Sequence, residues 1–228
     1  HVSSRRQRQM CIRDRIYDAL IQVQHRGQDA AGIAALNKNK LSVHKDLGVV
    51  TEVFKTVESL DLKGNVGIGH VRYPTAGCSD VSEAQPFHTI NPVEICLAHN
   101  GTLTNSDEMR EFLLNKKFCK FNTQSDSEVL LNLFAYELSQ TSFEVLESFH
   151  IFSALKKVYK RCEGGFAVAV LVEGVGLVGF RDSNGIRPLV LGKKDDGSFM
   201  VASESSALSA LGYIFESDIN PGEAIIIS

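Results

Sequence analysis

Two helix-like segments separate two groups of strand-like segments, and this order constrains the fold more than any other feature of the sequence. Residues 125–138 and 142–162 place apolar side chains at the i, i+3, i+4 spacing of amphipathic helices. The flanking segments are short β-rich runs that glycine, proline and asparagine turns interrupt. Because strands and helices seldom alternate, the order favours an α+β fold in which helices cover antiparallel sheets.

Further elements follow from the local pattern. Helical order is predicted to begin at Ile16, and Gly27 is suited to a left-handed stop after the last turn. A short helix is expected near residues 205–211. The predicted strands are residues 29–37, 40–50, 64–73, 93–101, 164–174, 175–182, 187–194, 198–204 and 221–228, of which the first two form a hairpin.

Composition argues against several classes of protein. The net charge is −3, but residues 1–15 hold five arginines and one acid, which leaves 19 basic and 26 acidic side chains elsewhere. An acidic body without a basic stripe argues against nucleic-acid binding. No apolar run approaches the roughly 20 residues that span a bilayer, and the start lacks the apolar core of a secretion signal. Five cysteines without C-x-x-C spacing argue against a zinc or dithiol site and indicate a reduced chain. Together these observations predict a cytoplasmic protein with no metal site and no membrane contact.

Two short motifs carry polar groups that could meet a ligand. In "GHVRYPTAG", residues 69–77, Arg72 stands where a strand meets a proline turn, so it is either a surface arginine or a bidentate carboxylate ligand. In "AHNGTLTN", residues 98–105, Asn100 and Gly101 form either a tight hairpin or a pair of neutral donors for a developing oxyanion. His99 is interpreted as a packing or orienting residue, not a base.

A third motif, "TQSDSEVLL" at residues 123–131, reads as a helix start. Ser125 and Glu128 have capping-box spacing, and Asp126 in the first turn would stay ionised near the positive helix end, where it could receive an ammonium group. Sites for a carboxylate, an ammonium and an oxyanion together describe an α-amino acid whose side-chain carbonyl is attacked. The nucleophile is not among them, and Cys11, which follows Met10, is the candidate.

Residues 16–228 resemble the class II glutamine amidotransferase domain of the amidophosphoribosyltransferase family. The resemblance is carried by "IYDALIQVQHRGQDAAGI", "GNVGIGHVRYPTAG", "EAQPF", "LAHNGTLTN", "SDSEVLLN", "FRDSNGIRPLVLG" and "VASESSAL". It implies a four-layer αββα N-terminal-nucleophile hydrolase fold, with two stacked antiparallel sheets between helices. It also implies that an amino-terminal cysteine attacks the glutamine carboxamide. On matching positions, Asn100 and Gly101 would stabilise the oxyanion, Arg72 would hold the carboxylate and Asp126 the ammonium.

The chain departs from this family at its start. The family begins Cys-Gly-Ile-Val-Gly-Ile, whereas Cys11 lies five residues before Ile16, and five extended residues reach only about 17 Å. We therefore interpret residues 1–15 as a foreign or disordered leader and residues 16–228 as the domain, with Cys11 kept as the alternative nucleophile. Arg26 and Thr75 match supporting contacts of the family.

The leading hypothesis is the glutaminase half of an amidophosphoribosyltransferase, which releases ammonia from glutamine for phosphoribosylamine formation in de novo purine synthesis. We expect the chain to stop before the phosphoribosyltransferase domain that uses phosphoribosyl pyrophosphate and magnesium, to be inactive as given, to hold no cofactor, and to be homo-oligomeric at full length. The alternatives are a non-catalytic glutamine-binding module and another class II amidotransferase.

Overall fold

A computed structural model describes residues 12–55, 62–73 and 80–228 as helices packed on antiparallel sheets. Its helices are α1 (Ile12–Gln22), α2 (Val50–Val53), α3 (Ser106–Asn115), α4 (Asp126–Ser139), α5 (Ser148–Arg161) and α6 (Ser205–Ala210). Its strands are β1 (Ala30–Asn37), β2 (Lys40–Leu47), β3 (Val66–Arg72), β4 (Phe87–Thr89), β5 (Ile95–Leu103), β6 (Gly164–Val172), β7 (Gly176–Arg181), β8 (Val190–Lys193), β9 (Phe199–Ala202), β10 (Ile214–Asp218) and β11 (Ala224–Ile227).

The strands form three sheets. The first has the order β2-β1-β3, the second β11-β7-β6-β5-β4 and the third β10-β8-β9, and every neighbouring pair is antiparallel. The predicted hairpin between β1 and β2 is confirmed, because Asn37 pairs with Lys40 across a two-residue turn. Lys38 opens that turn with φ 55°, in the left-handed region that such turns require.

Four layers follow from which face each strand residue presents. On β1, Ile33 packs toward α1 and α2, while its neighbour Ala34 packs against Leu171 of the second sheet. The opposite face of the second sheet carries Phe166, which packs with Phe134 of α4. The predicted α+β fold, with two stacked antiparallel sheets between helices, is confirmed, and the third sheet is an addition to it.

The first helix starts and stops differently from the prediction. It begins at Ile12, four residues before Ile16, and Ile12 packs with the core between α1 and the first sheet. Gly27 is extended, with φ −178°, so the predicted left-handed stop is wrong. A glycine is needed there for another reason: a Cβ would lie 2.3 Å from the carbonyl carbon of Arg72. Residues 1–11, with Cys11, lie outside the described residues, so the foreign leader stays a prediction.

Two helices and two strands were not predicted, and one helix is shorter than expected. The short helix α2, the helix α3, the short strand β4 and the strand β10 were not expected, and the helix predicted from residue 142 begins at Ser148. Glu147 caps that helix, since its backbone N–H donates to the His150 ring while its side chain accepts from the first turn. Among the described residues, no helix combines the length and the apolar character that crossing a bilayer requires.

Candidate active site

The three polar motifs meet at one cavity of about 730 Å³. Its lining includes Arg72 at the end of β3, Asn100 and Gly101 in β5, and Asp126 at the start of α4. Arg26, in the short 3-10 turn after α1, reaches the same cavity. Thr75 and Cys11 lie outside the described residues. Every predicted site residue that the structure describes therefore lines a single cavity.

Asn100 and Gly101 lie inside a strand and do not form a hairpin. β5 continues to Leu103, and both residues pair with β6, so the hairpin alternative is wrong. The side-chain nitrogen Nδ2 of Asn100 is buried and has no hydrogen-bond partner among the described residues. A buried amide N–H without a partner is costly, which is typical of a donor kept for a ligand.

The direction of the Gly101 N–H follows from the strand register. Gly101 pairs with Phe166, whose N–H and C=O both bond to Asp182 on the β7 side. The Gly101–Phe166 pair is therefore a non-hydrogen-bonded one, and the Gly101 N–H points away from β6. The residue must be glycine, because its φ is 152° and a Cβ would lie 2.0 Å from the Gly165 carbonyl oxygen.

Asp126 is half engaged by the protein. Its Oδ2 accepts a 2.9 Å bond from the Leu103 N–H, while Oδ1 lies 3.8 Å from Nδ1 of His99. Because the side chain retains 24% exposure at the first turn of α4, it can still meet a positive group from the cavity.

The predicted capping box at the start of α4 forms only in part. The Ser125 hydroxyl accepts a 3.3 Å bond from the Ser127 N–H, as an N-cap does. Glu128 instead reaches back into the preceding loop, where it accepts bonds from the N–H groups of Asn122 and Thr123 and from the Thr123 hydroxyl. The buried Glu128 thus fixes the loop that leads to Asp126.

Two arginines face the cavity with acidic neighbours. The Arg72 side chain is only 11% exposed, and its Nη2 lies 3.7 Å from Oε2 of Glu83, so it is not a solvated surface arginine. Arg26 donates a 2.7 Å bond to Glu204, which also contacts His25. The hydrogen bond from Arg26 holds the pKa of Glu204 below its usual range, because its effect is larger than the opposing effect of burial.

Two of the three histidines that line the cavity, His70 and His99, are neutral. Burial lowers the pKa of His99 although Asp126 opposes the shift, and His99 contacts the Ser127 hydroxyl at 3.0 Å. Burial, reinforced by His99, lowers the pKa of His70 to about 4. Since neither ring is charged at pH 7, His99 packs against Asp126 without neutralising it.

The described cysteines are poor nucleophiles. Burial raises the pKa of Cys96 to about 12, of Cys119 to about 11 and of Cys162 to about 12. No group of three or more His, Cys, Asp or Glu side chains within the described ranges is arranged to hold a metal ion.

Sequence reasoning missed several polar residues of the cavity wall, four of which carry charge or an amide near the predicted set. These four are Glu83, Gln85, Arg187 and Glu204. Glu83 and Gln85 lie in a segment that entered only as part of the family resemblance, whereas Arg187 and Glu204 stand at the ends of predicted strands, and nothing in their spacing marks them. Their places depend on the loops that return to the cavity, which local patterns do not reveal.

Comparisons with known proteins show the family to which the chain belongs. Residues 70–210 match a family model described as a glutamine amidotransferase domain. The chain is 50% identical over 224 residues to an amidophosphoribosyltransferase of Escherichia coli K12, covering 96% of this chain and 44% of that protein. It is 49% identical over 216 residues to an amidophosphoribosyltransferase of Schizosaccharomyces pombe, covering 93% and 40%.

A solved structure is similar as well. The glutamine phosphoribosylpyrophosphate amidotransferase from B. subtilis, complexed with ADP and GMP, superposes with a TM-score of 0.79 at 34% identity. That match covers 94% of this chain and 44% of the solved one. The chain thus spans less than half the length of these three relatives.

Proposed function

Since the chain belongs to the glutamine amidotransferase domain family, we propose that it is a glutaminase domain whose 730 Å³ cavity binds glutamine. The observation that carries the proposal is that three groups meet at that cavity: a guanidinium, a carboxylate with one oxygen open to the cavity, and an amide N–H that has no partner in the described ranges. These groups match the carboxylate, ammonium and reacting carbonyl of one amino acid.

Each group has a role in this proposal. Arg72 holds the glutamine carboxylate, and the open Oδ1 of Asp126 holds the ammonium. The Asn100 Nδ2 and the Gly101 N–H, which points away from β6, donate to the oxyanion. Arg26 and Thr75 are supporting contacts.

The proposed reaction needs a cysteine thiolate close enough to attack the carboxamide carbon while the carboxamide oxygen contacts the oxyanion donors. The thiol proton passes through the nucleophile's own α-amino group to the leaving nitrogen. The sulfur bonds to the carboxamide carbon, the C–N bond breaks with release of ammonia, and a glutamyl thioester remains. Water then cleaves the C–S bond, giving glutamate and the free thiol. An amino-terminal cysteine of the family type supplies this group, with Cys11 as the alternative.

A second cavity of about 230 Å³ supports a place for such a cysteine. It lies between β3 and β9, which are edge strands of their sheets within the described part of the chain. Gly69, Val201 and Asn100 are among its lining residues. The family's apolar start, Cys-Gly-Ile-Val-Gly-Ile, would fit between these edges as an added strand, with its cysteine beside Asn100.

The wider role is proposed from the relatives. They support a glutaminase half that delivers ammonia for phosphoribosylamine formation in de novo purine synthesis. A separate phosphoribosyltransferase domain would bind phosphoribosyl pyrophosphate and magnesium, and the whole protein would be a cytoplasmic homo-oligomer.

The test replaces residues 1–15 with the family's start, so that the first residue is cysteine. This version should release ammonia from glutamine and be labelled at residue one by a glutamine-mimicking electrophile, whereas a serine at that position should abolish the labelling. Calorimetry with glutamine distinguishes this proposal from the alternative of a non-catalytic binding module. Glutamine binding without turnover, both in the chain as given and in the version with the family's start, would indicate such a module. If neither version binds glutamine and neither turns it over, the proposal is overturned.

A further inference from the structure

The segment Glu83–Gln85 contacts all three motifs that line the cavity. Oε1 of Glu83 accepts a 3.1 Å bond from the Gln124 N–H, beside the Asp126 motif, and its Oε2 faces Arg72 at 3.7 Å. Gln85, two residues on, contacts the backbone of His99. The segment therefore joins elements that are far apart in the chain.

The Gln85 side chain makes the bonds that a neighbouring strand would make. Its Oε1 accepts a 2.7 Å bond from the His99 N–H, and its Nε2 donates a 3.1 Å bond to the His99 carbonyl. β4 pairs Phe87 with Leu97, so the same antiparallel register continued would place residue 85 opposite residue 99. The side-chain amide of Gln85 thus replaces a backbone peptide group just before β4 begins, where no described strand residue pairs with this edge of β5.

This edge of β5 has three successive outward N–H groups. The His99 N–H is taken by Gln85 and the Leu103 N–H by Asp126. Gly101 lies between them with its N–H on the same edge, since residues two apart in a strand present their N–H groups to the same side. The two side chains therefore hold the strand on both sides of Gly101, which lines the cavity.

Gln85 is itself held firmly. Its side chain is buried, and Gly32 approaches so closely that a Cβ there would lie 2.1 Å from the Gln85 carbonyl oxygen. The Lys45 ammonium donates to the carbonyl of Ala84 next to it. A side chain fixed in this way can transmit its position to the strand it bonds.

We infer that Gln85 is a positioning residue: it takes the place of a missing strand neighbour and so fixes the Gly101 N–H as a donor to the oxyanion. The inference rests on the proposed glutaminase function for the chemistry it serves. Its structural part, the clamp on His99, stands independently of that function.

Hydrogen exchange of backbone amides tests the clamp in the chain as it is. In Gln85→Met the His99 amide should exchange at least about tenfold faster than in the wild type, because its acceptor is gone. Amides in the middle of α4 should keep their rates. The matched control is Gln140→Met, which changes an exposed glutamine at the end of α4 and should leave His99 protected.

Kinetics tests the positioning in the version with an amino-terminal cysteine. Gln85→Met should lower kcat by about 10- to 100-fold with KM within about threefold, since a displaced oxyanion donor acts mainly in the transition state. Gln85→Glu keeps an acceptor for the His99 N–H and should recover part of kcat. It also serves as the test variant if Gln85→Met does not fold.

Two results would overturn the inference: a His99 exchange rate in Gln85→Met equal to that of the wild type, or a kcat of Gln85→Met equal to that of Gln140→Met. If the version with an amino-terminal cysteine releases no ammonia at all, the glutaminase proposal fails instead. The exchange comparison would still decide whether Gln85 clamps the strand.

Discussion

The two faces of the second sheet are filled to different degrees. Toward α4 and α5, large side chains such as Phe166 and Leu97 are buried in one continuous core. Toward the first sheet, the neighbouring positions Ala98, Ala167 and Ala169 carry only methyl groups and border the 230 Å³ cavity. The strand β6 therefore supplies large packed side chains on the face toward the helices and leaves space for a cavity on the opposite face.

This difference shows how a sheet combines stability with a binding site. The two-residue period of a strand lets large and small side chains alternate, as they do along β6. The large side chains supply most of the hydrophobic free energy. The small ones leave space in which a polar group such as Asn100, whose Nδ2 has no partner among the described residues, can face a cavity.

The largest expected effect lies in the closed face. Phe134 on α4 is fully buried there, so Phe134→Ala should lower the free energy of unfolding by about 3–5 kcal/mol. Urea denaturation followed by circular dichroism measures it. A loss below about 1 kcal/mol would mean that this core is as loosely filled as the other face.

Asn100→Ala tests the open face. In the version with an amino-terminal cysteine, kcat should fall about 100-fold or more because one oxyanion donor is lost. The free energy of unfolding should change by less than about 1 kcal/mol, since the amide N–H has no partner to lose within the described part of the chain. Unchanged ammonia release by Asn100→Ala would refute its assignment to the oxyanion.

Two carboxylates extend the comparison to charged groups. Asp182 is 1% exposed and accepts bonds from the N–H groups of Phe166, Asn184 and Ile186, whereas Asp126 keeps an oxygen for the cavity. Burial opposes ionisation of Asp182, but these backbone donors outweigh it and hold its pKa below the usual range.

Asp182→Asn should therefore cost about 1–3 kcal/mol of unfolding free energy at pH 7. Because the folded pKa is depressed, the stabilisation is present above the unfolded value and is lost as pH falls below about 4. Urea titrations at pH 7 and pH 3 should show the two proteins converging. Asp126→Asn, the matched control, should weaken glutamine binding and leave stability nearly unchanged, and the reverse ranking would contradict the comparison.

The smallest effect is expected from filling the open face. Ala169→Val adds two methyl groups beside the 230 Å³ cavity and should change the free energy of unfolding by less than about 1 kcal/mol in either direction. The same urea assay measures it. A loss as large as that of Phe134→Ala would show that the space is unavailable to side chains.

Local patterns predicted the strands and helices with strong periodicity, but not the elements without it. β10 is exposed along its whole length, so it has no alternation to detect. α3 could have been found from Met109, Phe112 and Leu113, which have helical spacing. Its Asn105 gives no side-chain cap to the helix and instead bonds to Arg161 and Glu163.

The candidate site divides in the same way. Arg72, Asn100 and Asp126 could be chosen from their positions beside strands and at a helix start, because each chemistry is local. Gln85 could not be chosen in this way, since its role depends on β4 beginning two residues after it and on the register of β4 with β5. The family resemblance included its segment without giving it a purpose.

The high pKa values of the described cysteines have a practical consequence for mass spectrometry. A thiol reacts as its thiolate, so Cys96, Cys119 and Cys162 should stay unmodified by iodoacetamide at neutral pH in the native protein. Against that silent background, alkylation should be confined to peptides that hold Cys11, Cys78 or an introduced amino-terminal cysteine, and a rate above that of an ordinary thiol would identify the activated one. Its rate of alkylation against pH would give the ionisation of the nucleophile before any substrate is added.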